Sequence, residues 1–287
     1  MTASTAAWRE RLSAFVARKE AEARSARLLP FATASDDGDE TFDRIEHAWT
    51  HRLFDGPFYL SKPSGDRVPS TSLVFVQSRD GNTGAADPSE LGGGDTDKHL
   101  IYEGLSRVAA DGVLAGAETI RGGQLIFSTW HSELVALRAS LGLPRHPIQM
   151  IATLRGIDFD SALILNVPDL RVVLLTIPLY VDAFHHALAQ RPWITPVVMD
   201  DSNDLRSAFE RFRALGIERI SCVGGRTIAR QLIDAGLVQD LFLTTSPKDG
   251  GEPNTPLYSK PLKGRTIVRK QGTGADAGVV FEHLTLA

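Results

Sequence analysis

The segment Ile220-Ser221-Cys222-Val223-Gly224-Gly225-Arg226-Thr227-Ile228-Ala229 constrains the chain more than any other. An apolar strand runs into two glycines, a helix begins at once, and Gly236 in Asp234-Ala235-Gly236-Leu237-Val238 ends that helix. Such an order belongs to an α/β layer. It sets backbone N–H groups and the positive end of a helix at the C-terminal edge of a strand, where a phosphate can sit. Glycine suits that place because a Cβ would hold a ligand off the backbone and because it accepts positive φ. A purely architectural turn is the alternative reading of the same residues.

From Ser72 onward the pattern alternates. A strand at Leu73–Val76 leads to an Asp80-Gly81 turn and the Gly92-Gly93-Gly94 loop. A helix is expected over Asp97–Ala110, then a strand at Gly112–Ala115, a helix at Ser132–Ser140 and a strand at Ile148–Ala152. Short strands follow at Leu163–Leu165 and Arg171–Thr176, with His185 and His186 on a short helix. Leu205, Ala208, Phe209, Phe212 and Leu215 form one helical stripe over Asp204–Leu215, capped by Ser202 or Asn203 and ended by Gly216. Strands near 241–245, 266–269 and 279–286 close the chain. Alternating units with a terminal hairpin predict a mostly parallel sheet with an antiparallel edge.

Residues 1–66 read differently, as a helical N-terminal extension ahead of an α/β domain over 67–287. Trp8, Leu12, Phe15 and Val16 share one helical face. An acidic loop, Ser35–Glu40, precedes a second helical stretch at Phe42–Arg52, and Pro57, Pro63, Gly65 and Pro69 then break regularity. Packing of this extension on the main domain is the expectation, and a partner-binding arm the alternative.

Charge narrows the function. Lys and Arg number 31 against 35 acids, a net charge of −4, without the basic excess that phosphate-backbone binding requires. The most apolar region, Leu163–Val181, is interrupted by Asn166, Pro168, Asp169, Arg171 and Pro178, so no membrane span is expected. Cys222 is the one cysteine, which excludes an internal disulfide framework and a thiolate zinc cluster. With no apolar signal segment at the N-terminus, a reduced, cytoplasmic protein is expected.

Ligands on such sheets bind outside the C-terminal strand ends. Four turns occupy those ends: Gln77–Gly81, Gly116–Arg121, Thr176–Pro178 and Gly224–Thr227. Two glycine turns with hydroxyls and arginines suit a ligand with several phosphates, such as a dinucleotide. The spacing is not the GxGxxG of a Rossmann turn.

In order, the chain carries Gly56-Pro57, Ser78-x-Asp80-Gly81 and Gly93-Gly94 before Asp97. It continues with Ala110-Asp111-Gly112-Val113-Leu114-Ala115-Gly116-x-x-Thr119-x-Arg121 and Leu174-Leu175-Thr176. Gly216-Ile217, Gly224-Gly225, Gly236-Leu237-Val238, Thr245-Ser246-Pro247 and Gly250-Gly251 follow. This ordered set resembles the reductase domain of riboflavin biosynthesis, within the dihydrofolate reductase-like superfamily, from about Gly56 to the C-terminus.

The resemblance implies an NADPH-dependent reductase that delivers hydride to a nitrogen heterocycle, in this family a ribosylamino-pyrimidinone phosphate whose ribose becomes a ribityl chain. It implies that Gly116 and Thr119 contact the cofactor's phosphates with Arg121 nearby, and that Leu175 and Thr176 flank the adenosine. Gly224, Gly225, Arg226 and Thr227 would hold the pyrophosphate. The Asp80-Gly81 turn would lie beside the nicotinamide and the substrate, and a homodimer is the family default. Asp80 and Glu118 are the candidate catalytic carboxylates, and Ser78 and Asp97 the candidate substrate contacts. Asp80 reads equally as a turn residue, and Asp97 as a helix cap or dipole-complementing acid. A carboxylate at Glu118, inside the Gly-x-x-Thr turn, makes sense there if it serves another ligand.

Two departures stand out. The family commonly carries an acid before the Gly-Gly pair, and here that residue is Val223. The phosphate-reading stretch with its arginine, expected after the Gly-x-x-Thr turn, is replaced by Gly122-Gly123-Gln124-Leu125-Ile126-Phe127-Ser128-Thr129-Trp130. These leave two alternatives open: a pathway-specific reductase of a different C=N or C=O substrate, and a nucleotide-binding protein without turnover. A deaminase signature, His-x-Glu with Pro-Cys-x-x-Cys, is absent from the chain. His185-His186 lack partners at ligand spacing, Cys222 reads as a buried apolar residue, and Trp130 and Tyr258 are candidate heterocycle walls or plain core.

Overall fold

A computed structural model describes residues 5–63, 67–85, 88–121, 123–201 and 204–286. The strands are β1 Phe31–Asp36, β2 Phe42–Ile45, β3 Phe58–Ser61, β4 Ser70–Gln77, β5 Gly112–Gly116 and β6 Ile148–Ala152. They continue with β7 Val172–Thr176, β8 Ile194–Val198, β9 Arg219–Gly224, β10 Asp240–Thr245, β11 Gly264–Gly272 and β12 Val280–Leu286. Ten of them form one sheet in the order β1-β11-β12-β10-β4-β9-β5-β6-β7-β8, and β2 pairs with β3. From β10 to β8 every pairing is parallel, and β12, β11 and β1 add an antiparallel edge. The mixed, mostly parallel sheet with its C-terminal antiparallel hairpin is therefore as the sequence pattern predicts.

Side chains alternate across these strands, so apolar residues at every position bury both faces. On β5, Val113 and Ala115 join one core cluster and Leu114 the opposite one. On β7, Val172 and Leu174 face the first cluster, while Val173 and Leu175 face the second. Helix α1 (Thr5–Ser25) seals the first face, placing Trp8 and Phe15 in the cluster that holds Val113, Ala115 and Val223. Phe15 meets Trp130 edge to face at 5.6 Å. The second face is covered by the helices at Leu205–Ala214 and Arg226–Asp234. The first of these ends as expected: Gly216 has φ +82°, and Ile217 N–H donates to Phe212 O at 3.1 Å. Its proposed caps, Ser202 and Asn203, lie outside the described residues.

Several expectations give way. Phe42–Arg52 is not one helix, because Phe42 and Ile45 are buried on β2 against β3, and helix α2 (Ala48–Phe54) starts only after His47. There His47 accepts from Thr50 N–H while Thr50 Oγ1 accepts from the His47 amide, a reciprocal cap that the histidine hid from pattern reading. Ser35 and Asp36, read as loop, end β1, which pairs with β11 and extends the main sheet. Residues 1–66 thus contribute strands as well as a long helix. Leu163–Leu165 is a buried helical turn (Leu163–Asn166) rather than a strand, since a short apolar run has no period that separates the two. Strand β8 escaped notice because Pro196 interrupts it, which an edge strand tolerates. The helical run after the Gly92–Gly94 loop spans 94–108, widens to π-type from Asp97 and is kinked at Gly104 (φ −125°, ψ −106°).

If α1 belongs to the cooperative core, Phe15→Ala lowers unfolding free energy by about 3 kcal/mol in urea titration, as for other buried phenylalanines. A loss near zero would mean that α1 frays independently.

Candidate active site

The centre of the site follows from one register. Strand β9 lies between β4 and β5, and Gly224 stands opposite Ala115 at the C-terminal ends. Gly116 then ends β5 and caps the short helix Ala117–Ile120. A Cβ on Gly116 would sit 3.8 Å from Gly225 N, and one on Gly224 would sit 3.8 Å from Thr119 Oγ1. Gly116, Thr119, Gly224 and Gly225 are therefore brought together. Gly224 has φ +141°, which side-chain-bearing residues rarely adopt.

Gly225 caps the Arg226–Asp234 helix without any side-chain hydrogen bond, and no acid stands in the first turn. The first amides of a helix have no intrahelical acceptor, and a Cβ built on Gly225 meets nothing within 4 Å. Arg226 and Thr227 flank this opening, Arg226 paired with Glu252 at 3.3 Å and Thr227 exposed. Arg121 is paired with Glu118 at 2.9 Å, both largely exposed. Glu118 therefore neutralises Arg121 at the surface and is not held among the buried groups. Leu175 packs into the core of the second face, so its side chain does not flank a ligand there. Thr176 shares the face of Leu174 and is fully buried, with no hydrogen-bond partner for Oγ1 among the described residues.

On the other side of β9, the turn after β4 is stitched to the loop after β10. Ser78 Oγ donates to Asp80 Oδ1 at 2.6 Å, and Asn82 Nδ2 donates to Asp80 Oδ2 at 2.8 Å and to Gly250 O at 3.1 Å. Arg79 pairs with Asp249 across the same seam. The Ser78 hydrogen bond lowers the Asp80 carboxyl below its ordinary range, so this exposed acid is ionised. Its geometry is that of a turn-building residue whose carboxylate also faces outward.

Asp97 is different. It is buried inside the helical run, which begins at Gly94, so it is not a cap. Burial raises its carboxyl to about 6; the hydrogen bond from Thr244 Oγ1 (2.5 Å) opposes that shift and the charge of Asp276 adds to it. Glu103, one and a half turns on, is the converse. Burial resists its ionisation, yet the His99 ring 3.4 Å away and the charges of Lys19 and Arg107 prevail and hold it down to about 2. Lys19 Nζ reaches Glu103 Oε1 at 2.7 Å from helix α1, a long-range ion pair that no local spacing announces. Tyr102, whose hydroxyl lies 3.5 Å from Val223 O, is likewise invisible to motif reading.

The departures from the family pattern have structural counterparts. Val223 is buried in the first core cluster, as are Ile126, Phe127 and Trp130. Gln149 clamps the Phe127 backbone, accepting from its N–H at 2.8 Å and donating to its oxygen at 3.0 Å. Trp130 is core and Tyr258 bonds Asp234, so neither forms a shared wall. Burial raises the Cys222 thiol to about 12, which keeps it inert. Among the described residues no cluster of three or more potential metal ligands occurs, and no helix is long and apolar enough to cross a membrane.

A mostly parallel sheet with helices on both faces, an antiparallel C-terminal edge and two facing glycine turns has the architecture of the dihydrofolate reductase-like class. Residues 69–274 match the model of the RibD C-terminal domain, and the chain belongs to that family. Among solved structures it is similar to a pyrimidine reductase-like protein from Corynebacterium diphtheriae (22% identity, 76% of this chain and 92% of the other, TM-score 0.62). It is also similar to the yeast riboflavin biosynthesis reductase Rib7 from Saccharomyces cerevisiae (16%, 79% and 95%, 0.53). Against Acinetobacter baumannii RibD it covers 77% of its own length and 58% of the other, at 16% identity and TM-score 0.58. At these identities the likeness establishes the fold. No curated protein matches the chain.

Asp97 has a measurable signature. Its carboxyl is raised in the fold, so it stabilises the protein when protonated and loses that contribution as pH rises from about 4 through about 6. Over that window the stability difference between wild type and Asp97→Asn shifts in favour of the variant in thermal unfolding. A pH-independent difference would mean that burial does not raise the Asp97 carboxyl.

Proposed function

We propose that this chain is an NADPH-dependent reductase of the riboflavin-pathway pyrimidine type, with its reductase domain over 67–287 and residues 1–66 packed on it. The observation that carries the reading is the convergence of Gly116, Thr119, Gly224 and Gly225 on an uncapped helix N-terminus with open space above Gly225. That cradle fits a pyrophosphate, because amide donors and the helix dipole favour an anion and no Cβ intrudes. Gly224, Gly225 and Thr227 would hold the pyrophosphate with Thr119, and Arg226 would add charge beside it. When bound, NADPH supplies the hydride.

The chain's own residues then position substrate and proton. Ionised Asp80 offers an acceptor to amino groups of a pyrimidinone, with Ser78 fixing its orientation. Asp97, with its carboxyl near 6, is the group here best suited to supply a proton at mildly acidic pH. Glu118 is assigned no chemical step, because Arg121 holds it at the surface. A homodimer in the cytoplasm is the family-based expectation. One observation favours a different heterocycle: the stretch that would read a sugar phosphate is packed into the core through Ile126, Phe127 and Trp130.

Titration with NADPH and NADH, followed by quenching of the four tryptophans, tests the cofactor reading, with tighter NADPH binding expected. Gly225→Asp places a carboxylate in the open cradle and abolishes NADPH binding while the circular dichroism stays native, since its Cβ has room. Retained binding in that variant overturns the phosphate assignment. Oxidation of NADPH by the ribosylamino-pyrimidinone phosphate, set against its dephosphorylated form, then decides the substrate.

A further inference from the structure

The turn after β4 and the loop after β10 leave neighbouring strands, whose last paired residues are Gln77 and Thr245. Asn82, in the first of these, is 8% exposed and has all of its amide engaged. Its Nδ2 donates to Asp80 Oδ2 at 2.8 Å and to Gly250 O at 3.1 Å, and its Oδ1 accepts from Thr255 N–H at 3.1 Å. The orientation of the amide follows from these partners, since its nitrogen faces two acceptors and its oxygen a donor. The backbone closes the same turn. Asn82 N–H donates to Ser78 Oγ at 3.2 Å, and Ser78 N–H donates to Asn82 O at 3.0 Å.

The bonds to Gly250 and Thr255 already tie the two segments, and Thr83 Oγ1 reinforces the tie by donating to Thr255 O at 2.9 Å. The bond to Asp80 stays within one turn, so it serves the carboxylate rather than the seam. Asp80 is exposed, and a carboxylate held by one oxygen turns easily about its last torsion. Here each oxygen has its own donor. Ser78 Oγ holds Oδ1 at 2.6 Å, with Gly250 N–H at 3.4 Å, and Asn82 Nδ2 holds Oδ2 at 2.8 Å. The charge that acts on Asp80 is Arg79, itself paired with Asp249. An aspartate at position 82 would match the size of Asn82 but would set acceptors against Asp80 and Gly250 O. The amide is what the site requires.

We propose that Asn82 is a positioning residue of the reductase site, locking the Asp80 carboxylate in the orientation that receives the amino groups of the pyrimidinone. This rests on the reading of Asp80 given above and names the side chain through which Asp80 works. An acceptor fixed in advance spares substrate the ordering that binding would otherwise require, so the effect falls on affinity rather than on hydride transfer.

Steady-state kinetics with NADPH and the ribosylamino-pyrimidinone phosphate or its dephosphorylated form, together with a carboxyl 13C NMR titration of Asp80, test this in Asn82→Ala, Asp80→Asn and the double variant. Asn82→Ala should raise the substrate KM roughly tenfold, the worth of one charge-assisted hydrogen bond, with kcat within about twofold of wild type. In the Asp80→Asn background the same substitution should change KM by less than about twofold, because the two side chains act as a unit. In Asn82→Ala the Asp80 resonance should titrate at higher pH than in wild type, since a donor to its charged form is gone. Thr83→Val cuts a link between the same two segments and should leave both the KM and the titration as they are. An equal effect in Thr83→Val, additive KM losses in the double variant or an unmoved titration in Asn82→Ala overturns the proposal and leaves the Asp80 reading standing. A wild-type KM in Asp80→Asn, or no turnover of either substrate by wild type, overturns the Asp80 reading and the proposal with it.

Discussion

The structure depends on the insertion of β9 between β4 and β5. That parallel pairing sets Leu73 beside Cys222 and Ala115 beside Gly224, and so carries two glycine turns from distant parts of the chain to the same edge. Parallel strands need helical crossovers, and those crossovers supply the layers that bury both faces of the sheet. The helix N-terminus at Arg226 is thereby brought to the place where the β5 turn ends.

Around this frame, charge is distributed by burial. Asp97 and Glu103 stand on the same helical run and are both largely buried, yet they shift in opposite directions. Asp97 meets a hydroxyl and another acid, so burial prevails and the carboxyl retains its proton more readily. Glu103 meets Lys19, His99 and Arg107, and opposite charge outweighs desolvation. Helix α1 contributes to the distinction by bringing Lys19 across the first face, alongside His99 and Arg107. The same helix seals the cluster that contains Val223, so the N-terminal segment shapes the environment behind the glycine turn as well as completing the core.

The stretch after the Gly-x-x-Thr turn is, from Ile126 to Trp130, part of the core rather than of the surface. Ile126, Phe127 and Trp130 turn inward, and Gln149 ties the Phe127 backbone to β6. Arg107 donates to Ser128 O at 3.2 Å, again within the protein.

Local rules determined a good part of this protein. Period-two and unbroken apolar runs marked β4, β5, β6, β7 and β9. The stripe from Leu205 to Phe212 marked its helix, and glycine marked the ends of both covering helices, because Gly216 and Gly236 adopt positive φ. The glycine turns and their order identified the family. What local rules could not decide was anything set by partners far away in the chain. Phe42 and Ile45 became strand because β3 was there to pair with, and Leu163–Leu165 became a helical turn because its burial carried no period. Glu118 was drawn to Arg121 at the surface, while Lys19 was drawn inward to Glu103 across 84 positions of sequence. Pattern reports what a segment can form. Tertiary contact decides which of those forms buries its apolar surface and satisfies its charges.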